Sequence, residues 1–123
     1  MSQRILVVDD APSVTGVLQF VLDAEGYDSE IVEDGRHAIE VVDRQRPDLI
    51  LLDLNVPGLD GYQIAAKLQE NPATATIPIV LLTGTRETAG NPRLAGMPIK
   101  DIVLKPFSPK ELLVRIRRVL DGG

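Results

Sequence analysis

The sequence predicts a doubly wound α/β domain, in which a parallel sheet is covered by helices on both faces. Its short apolar runs are continuous rather than alternating, which is typical of strands buried on both faces of a parallel sheet. Segments with helical spacing of apolar residues separate these runs, and this alternation indicates five strands and up to five helices. The 123 residues of the chain have room for about one domain.

Four apolar runs predict the clearest strands, and a fifth, more polar run predicts an edge strand. The four clear runs are residues 5–8, 49–52, 77–82 and 102–104. The edge strand is expected around residues 27–32. Pro78 falls at the start of its run, where the missing amide donor of proline is tolerated.

Four segments carry apolar residues at intervals of three and four, as expected of helices with one buried face. These segments are residues 14–22, 36–44, 63–70 and 109–120. Gly26 is expected to end the first, and Ser108 to cap the last, with Glu111 completing a capping box. Glycine and proline residues between positions 86 and 98 are expected to shorten or break a further helix, the fourth of five.

Composition narrows the functional classes that the chain can belong to. The absence of cysteine excludes disulfides, thiolate zinc sites, iron–sulfur clusters and thiol nucleophiles. A formal net charge of -5 disfavours direct binding to nucleic acid. No segment approaches the ~20 apolar residues of a membrane-spanning helix, and the first residues do not resemble a secretory signal. We therefore expect a cytoplasmic protein that binds neither nucleic acid nor membrane directly.

Polar residues follow four of the apolar runs, at the points where the strands are expected to end. They are Asp9 and Asp10, Asp53, Thr83 and Lys105. One polar residue at a strand end is ordinary because chains turn there, but four coincidences favour a common site at the ligand-binding edge of the sheet. Three neighbouring carboxylates repel one another unless a cation joins them, and a set of oxygen ligands suits Mg²⁺.

These residues lie in stretches that resemble the receiver domain of bacterial response regulators, and the resemblance covers nearly the whole chain. The matching stretches are residues 5–10, 48–61, 77–84 and 105–107. The second of them, DLILLDLNVPGLDG, is highly specific, whereas the acidic pair or the Lys-Pro pair alone is a weak signal. The resemblance implies a single receiver domain over residues 1–123, with the strand order 2-1-3-4-5.

The resemblance also implies a phosphoacceptor with a Mg²⁺ cofactor. Asp53 is then the nucleophile that takes a phosphoryl group from a phosphohistidine of a sensor histidine kinase or a phosphotransfer protein. Asp10, Asp53 and the backbone carbonyl of Asn55 are expected to ligate the metal directly. Asp9 is expected to act largely through a water molecule on the metal.

Three further residues complete the implied site. Lys105, expected to precede a cis peptide bond to Pro106, pairs with the phosphoryl oxygens. Thr83 swings in to hydrogen-bond to the phosphoryl group, and Gly84 leaves the space that this movement needs. The chain is then a signalling switch that catalyses only its own phosphorylation and dephosphorylation. A downstream effector or a second receiver domain is the expected recipient of the signal.

Two departures from the family pattern concern how the signal is passed on. The family usually carries Tyr or Phe three residues before the conserved lysine, and Ile102 occupies that position here. The segment 89–98, where the fourth helix is expected, is interrupted by glycine and proline. Both departures fall on the face that commonly carries output in this family.

Two other functional classes stay open at this point. A receiver-like binding module would recognise its partner without a phosphorylation cycle, and missing acidic or lysine residues would favour it, yet all are present. A phosphatase-type hydrolase that forms an aspartyl phosphate typically places an Asp-x-Asp arrangement after the first strand, whereas Asp9 and Asp10 are adjacent. A P-loop nucleotide enzyme is excluded because no Gly-x4-Gly-Lys-Ser/Thr run occurs.

Several remaining residues have simpler interpretations. His37 is expected to be a partly exposed packing residue on a helix. Pro106 and Phe107 either help to dock a kinase beside the first helix or, in the case of Phe107, cap the core. Three arginines are expected to form the solvated face of the last helix: Arg115, Arg117 and Arg118.

Overall fold

The computed structural model describes residues 3–54, 56–84, 92 and 97–122, and a five-stranded parallel sheet runs through it. The strands are β1 (Arg4–Val8), β2 (Asp28–Val32), β3 (Leu49–Asp53), β4 (Ile79–Thr83) and β5 (Ile99–Leu104). The described helices are α1 (Pro12–Ala24), α2 (Gly35–Arg44), α3 (Gly61–Glu70) and α4 (Pro109–Leu120). The sheet order β2-β1-β3-β4-β5 confirms the predicted doubly wound fold.

Alternate residues of the central strands pack into two separate cores, one on each face of the sheet. Leu6 and Ile50 lie in the core that also contains buried residues of α2 and α3. Ile5 and Leu49 lie in the opposite core, together with buried residues of α1 and α4. Every residue of β3 and β4 is therefore buried, which is why these strands are continuous apolar runs in the sequence.

The predicted ends of two strands differ from the observed ends. β5 begins at Ile99 rather than at position 102, so the polar Lys100 and Asp101 lie in this edge strand, where its pairing with β4 is irregular. The prediction that β4 begins at position 77 is wrong by two residues. Pro78 precedes the strand, and its carbonyl accepts a hydrogen bond from the amide of Ile50.

Helix caps follow the sequence signals closely, with one addition. Gly26 follows the C-terminus of α1 with a φ of 87°, as a left-handed glycine at a helix end does. The Ser108 side chain accepts from the amide of Glu111 at 3.4 Å, which confirms the cap of α4. A full capping box lies instead at α3, where Asp60 and Gln63 exchange side-chain and backbone hydrogen bonds at 2.9 Å each.

The expected fourth of five helices lies mostly outside the described residues. Pro92, Met97 and Pro98 are described in that part of the chain, and residues 85–91 and 93–96 are not. The helices that are described number four. None of these four combines the length and the apolar character that crossing a lipid bilayer requires.

Candidate functional site

One edge of the sheet collects the polar residues that end its strands. Asp9 and Asp10 follow β1, Asp53 ends β3, Thr83 ends β4, and Lys105 follows β5. These four strands are parallel and adjacent in the order β1-β3-β4-β5, so their carboxyl ends lie at the same edge. The fold therefore brings five residues from four separate segments of the sequence to one place.

Three carboxylates form a compact acidic cluster at this edge. Asp9, Asp10 and Asp53 each offer one oxygen, and these atoms lie within 4.8 Å of one another. Asp9 is fully buried and Asp53 is 6% exposed, whereas Asp10 is exposed. One oxygen of Asp9 accepts a hydrogen bond from the amide of Ala11 at 2.9 Å, which fixes the orientation of that carboxylate. The cluster is thus buried on one side and open to solvent on the other.

Lys105 supplies a positive charge to this cluster. Its Nζ lies 2.8 Å from Oδ2 of Asp9 and 3.3 Å from Oδ2 of Asp53. Its backbone amide donates to the carbonyl of Thr83 at 2.7 Å, and its peptide bond to Pro106 is cis, as predicted. Burial lowers the pKa of Lys105, but the hydrogen bond to Asp9 and the charges of Asp53 and Asp9 outweigh it and raise that pKa above its usual value.

The donor set fits a hard divalent cation. The cluster carries three negative charges and Lys105 offsets one, which leaves an excess of two. Carboxylate oxygens with an open solvent side are the ligands that Mg²⁺ prefers, because this ion keeps several of its water molecules. The exposed Asp10 gives such an ion a route of entry. The residues present can therefore hold Mg²⁺, and a cation there removes the repulsion between the carboxylates.

Comparison with known proteins agrees with this geometry. A family model described as the response regulator receiver domain matches residues 5–117 of the chain. The chain belongs to this family. It is therefore the receiver domain of a two-component response regulator, as the motifs around Asp53 predict.

Among its relatives, the receiver domain is similar to the "DNA-binding response regulator MtrA" of Mycolicibacterium smegmatis. The two are 44% identical over 117 residues, which cover 95% of this chain and 50% of that protein. The chain thus spans about half the length of these curated relatives.

Solved structures share the fold over nearly the full chain. The receiver domain of the sensor histidine kinase PA1611 of Pseudomonas aeruginosa is 34% identical, with a TM-score of 0.86 and 100% of both chains covered. That domain was crystallised with a magnesium ion coordinated in its active-site cleft. The chemotaxis response regulator CheY4 of Vibrio cholerae is 27% identical, with a TM-score of 0.89 over 97% of this chain and 99% of that one.

Two residues that this receiver domain is expected to use in switching occupy neighbouring strands. Thr83 is 2% exposed at the end of β4, and a Cβ atom placed on the following Gly84 would meet nothing within 4 Å. Ile102 is partly buried in β5 and packs against the core that contains α2 and α3. Asn55, the expected source of a backbone metal ligand, lies outside the described residues.

Arg115 is only partly solvated, because its side chain is 33% exposed and pairs with β5. Its guanidinium lies 2.8 Å from Oδ1 of Asp101 and donates to the carbonyl of Ile102 at 3.3 Å. Helical periodicity places Arg115 on a polar face, but it does not reveal that the edge of β5 lies opposite. Arg117 and Arg118 are exposed as expected, with Arg117 paired to Glu25.

The surface between the site and α1 is apolar. Phe107 packs against the core that contains α1 and α4, and with Pro106 and Val17 it also lines a cavity of about 430 Å³ next to Lys105. Both predicted roles of Phe107 are therefore compatible with its position. His37, on α2, is exposed rather than partly buried.

Proposed function

We propose that Asp53 of this receiver domain accepts a phosphoryl group from a sensor histidine kinase or a phosphotransfer protein, in a reaction that requires Mg²⁺. One observation carries the proposal: the ammonium of Lys105 bridges Asp9 at 2.8 Å and Asp53 at 3.3 Å inside a three-carboxylate cluster. A nucleophile, a cation and a set of metal ligands thus share one site. The position of each residue supports the role proposed for it below.

The transfer step joins an Asp53 carboxylate oxygen to phosphorus. The bond that breaks is the P–N bond of the donor phosphohistidine, and its electron pair leaves with the imidazole. Acceptor and phosphoryl group are both anionic, so they repel each other at bonding distance. Mg²⁺ supplies positive charge that offsets this repulsion.

The metal ligands are proposed to be the carboxylates of Asp10 and Asp53 and the backbone carbonyl of Asn55. Asp9 is fully buried and held by the amide of Ala11 and by Lys105. A carboxylate fixed in this way acts best through a water molecule in the ion's shell, as a positioning group. Asp10, which is exposed, is free to turn toward an incoming ion.

Lys105 and Thr83 are proposed to hold the transferred group. The Lys105 ammonium already lies against the Asp53 carboxylate, so it can pair with phosphoryl oxygens attached there. The Thr83 hydroxyl lies on the adjacent strand and would donate a hydrogen bond to the same group. Because the amide of Lys105 binds the carbonyl of Thr83 at 2.7 Å, the two residues are held at a fixed separation.

The output is proposed to pass through a downstream effector or a second receiver domain. The chain spans about half of relatives such as MtrA, whose name describes a DNA-binding protein. With its net charge of -5, the receiver domain itself is expected to make no direct contact with nucleic acid. The only reactions that the domain catalyses are its own phosphorylation and dephosphorylation. When Thr83 moves, Ile102 repacks in place of the usual aromatic residue.

The proposal is tested by exposing the purified chain to acetyl phosphate and measuring its intact mass. The wild type should gain the mass of one phosphoryl group when Mg²⁺ is present and none when the metal is chelated. Asp53→Asn should gain none under either condition. Asp43→Asn is the matched control, because it changes an exposed aspartate on α2 and should label like the wild type.

Two outcomes would contradict the proposal. Labelling of Asp53→Asn at the wild-type rate would place the acceptor elsewhere. A wild type that never labels, yet binds a partner equally well before and after Asp53→Ala, would identify a binding module instead.

A further inference from the structure

The turn that follows Asp53 is packed tightly against the start of α2. The amide of Gly35, the first residue of α2, donates to the carbonyl of Pro57 at 2.9 Å. The first amides of a helix have no partner within the helix, so the turn satisfies one of them. Two segments more than twenty residues apart in sequence are thereby joined beside the site.

Two glycines make this close approach possible, and a third lies at the other end of the turn. A Cβ on Gly35 would lie 2.0 Å from the carbonyl oxygen of Leu59, so either the turn or the start of α2 would have to shift to make room for it. Gly58 has a φ of 84°, and its Cβ would lie 2.6 Å from Oδ1 of Asp34, the residue that caps α2. A side chain on Gly35 would meet backbone atoms, whereas one on Gly58 would need a strained φ and would displace the cap of α2.

The third glycine connects the turn to the phosphoacceptor backbone. A Cβ on Gly61 would lie 2.7 Å from Cα of Leu54 and 2.9 Å from the carbonyl oxygen of Asp53. The amide of Gly61 also donates to the carbonyl of Leu54 at 3.0 Å. The contacts thus run without a break from the first residue of α2, through the turn, to the backbone of Asp53.

From this chain of contacts we propose that Gly35 is a positioning residue for the metal and phosphoacceptor site. Because Gly35 has no side chain, α2 packs directly against residues 57–61 and limits their movement. These residues in turn fix the orientation of the Asp53 carboxylate. The affinity of a site for its metal depends strongly on the residues that hold the metal ligands in place. A methyl group on Gly35 therefore shifts the turn and misplaces Asp53, although Gly35 touches neither metal nor phosphoryl group.

The inference rests on the proposed function, since it assumes that Mg²⁺ binds beside Asp53. The test measures the Mg²⁺ dissociation constant by calorimetric titration of the full chain, and follows the amide resonances of residues 53 and 54 by NMR. Gly35→Ala should weaken Mg²⁺ binding by about tenfold, the scale seen for supports of metal ligands, and should shift both resonances before metal is added.

Two controls separate positioning from loss of stability. Ala38→Gly destabilises the same helix without adding an atom at the turn, and should keep wild-type Mg²⁺ affinity. Gly16→Ala adds a methyl group in α1 that meets nothing within 4 Å, and should also be unchanged. If Gly35→Ala does not fold, Leu59→Ala loosens the turn by removing its partly buried anchor and should weaken binding in the same direction.

The failure of this inference differs from a failure of the proposed function. Wild-type Mg²⁺ affinity in both Gly35→Ala and Leu59→Ala would overturn the positioning role alone. An equal loss of affinity in Ala38→Gly would also overturn it, because stability and not the turn would then control the site. A wild type that binds no Mg²⁺ would instead overturn the proposed function.

Discussion

The acidic cluster should make the metal-free receiver domain less stable than it would be with one charge fewer, and Asp10→Asn tests this. At the 4.8 Å that bounds the oxygen separations, two unit charges interact by about 1 kcal/mol in bulk water and about 3.5 kcal/mol near a protein surface. The Asp10 carboxylate is repelled by the two negative charges of Asp9 and Asp53 and attracted by the positive charge of Lys105. The net effect is one uncompensated repulsion. Because Asp10 is exposed, solvent screening favours the lower value, about 1 kcal/mol.

Bound Mg²⁺ should reverse the order of stability. An ion at a hundred times its dissociation constant stabilises the folded state by about 2.7 kcal/mol. Asp10→Asn loses a charged ligand, so it should gain less than about 1 kcal/mol at the same metal concentration. The variant is therefore expected to be more stable than the wild type in chelator and less stable at a Mg²⁺ concentration about a hundred times the wild-type dissociation constant.

Urea denaturation followed by circular dichroism, with and without Mg²⁺, measures this reversal directly. Asp43→Asn, which removes an exposed charge from α2, should shift stability little and should respond to metal like the wild type. The reasoning is refuted if Asp10→Asn is less stable than the wild type in chelator. It is equally refuted if the variant gains as much from Mg²⁺ as the wild type does.

Three further changes have separate expected outcomes. Lys105→Met should lower the free energy of unfolding in chelator by about 2 kcal/mol. This loss is smaller than that for a fully buried ion pair, because the lysine side chain is 24% exposed. It should also slow labelling by acetyl phosphate, and wild-type stability and rate together would argue against its role. Asp60→Ala removes the capping box of α3 and should cost about 1 kcal/mol in urea denaturation; no loss would mean that the cap is redundant. Leu18→Ala truncates a side chain that is 1% exposed between α1 and the sheet and should cost about 3 kcal/mol, with labelling intact once the variant is folded. A loss below about 1 kcal/mol would contradict the packing described for α1.

The fold was predictable where burial on both faces leaves a plain signal. The run at positions 49–52 is apolar throughout because both of its faces are covered. The start of β5 was not predictable in this way, since Lys100 and Asp101 lie in an edge strand with part of one face in solvent. The capping box of Asp60 and Gln63 has a local signal in the sequence, an acidic cap three residues before glutamine, and could have been found.

The candidate site was predictable in its residue types but not in its geometry. Polar residues after four apolar runs indicate a shared edge, and the parallel order of the strands then brings them together. The pairing of one lysine with two aspartates nearly a hundred and about fifty residues away depends on side-chain directions that no local pattern contains. The contact between Gly35 and Leu59 likewise depends on tertiary packing. In the sequence alone, Gly35 looks like an ordinary turn residue.

The central claim is that the acyl phosphate forms on Asp53, and chemical trapping tests it most directly. Borohydride reduces an aspartyl phosphate to homoserine, so peptide mapping of the chain after treatment with acetyl phosphate, Mg²⁺ and borohydride identifies the modified residue. We predict homoserine at position 53 and an unmodified aspartate at position 53 when the metal is chelated. Homoserine at Asp9, Asp10 or any other position, or none at position 53 in the presence of Mg²⁺, would contradict the account.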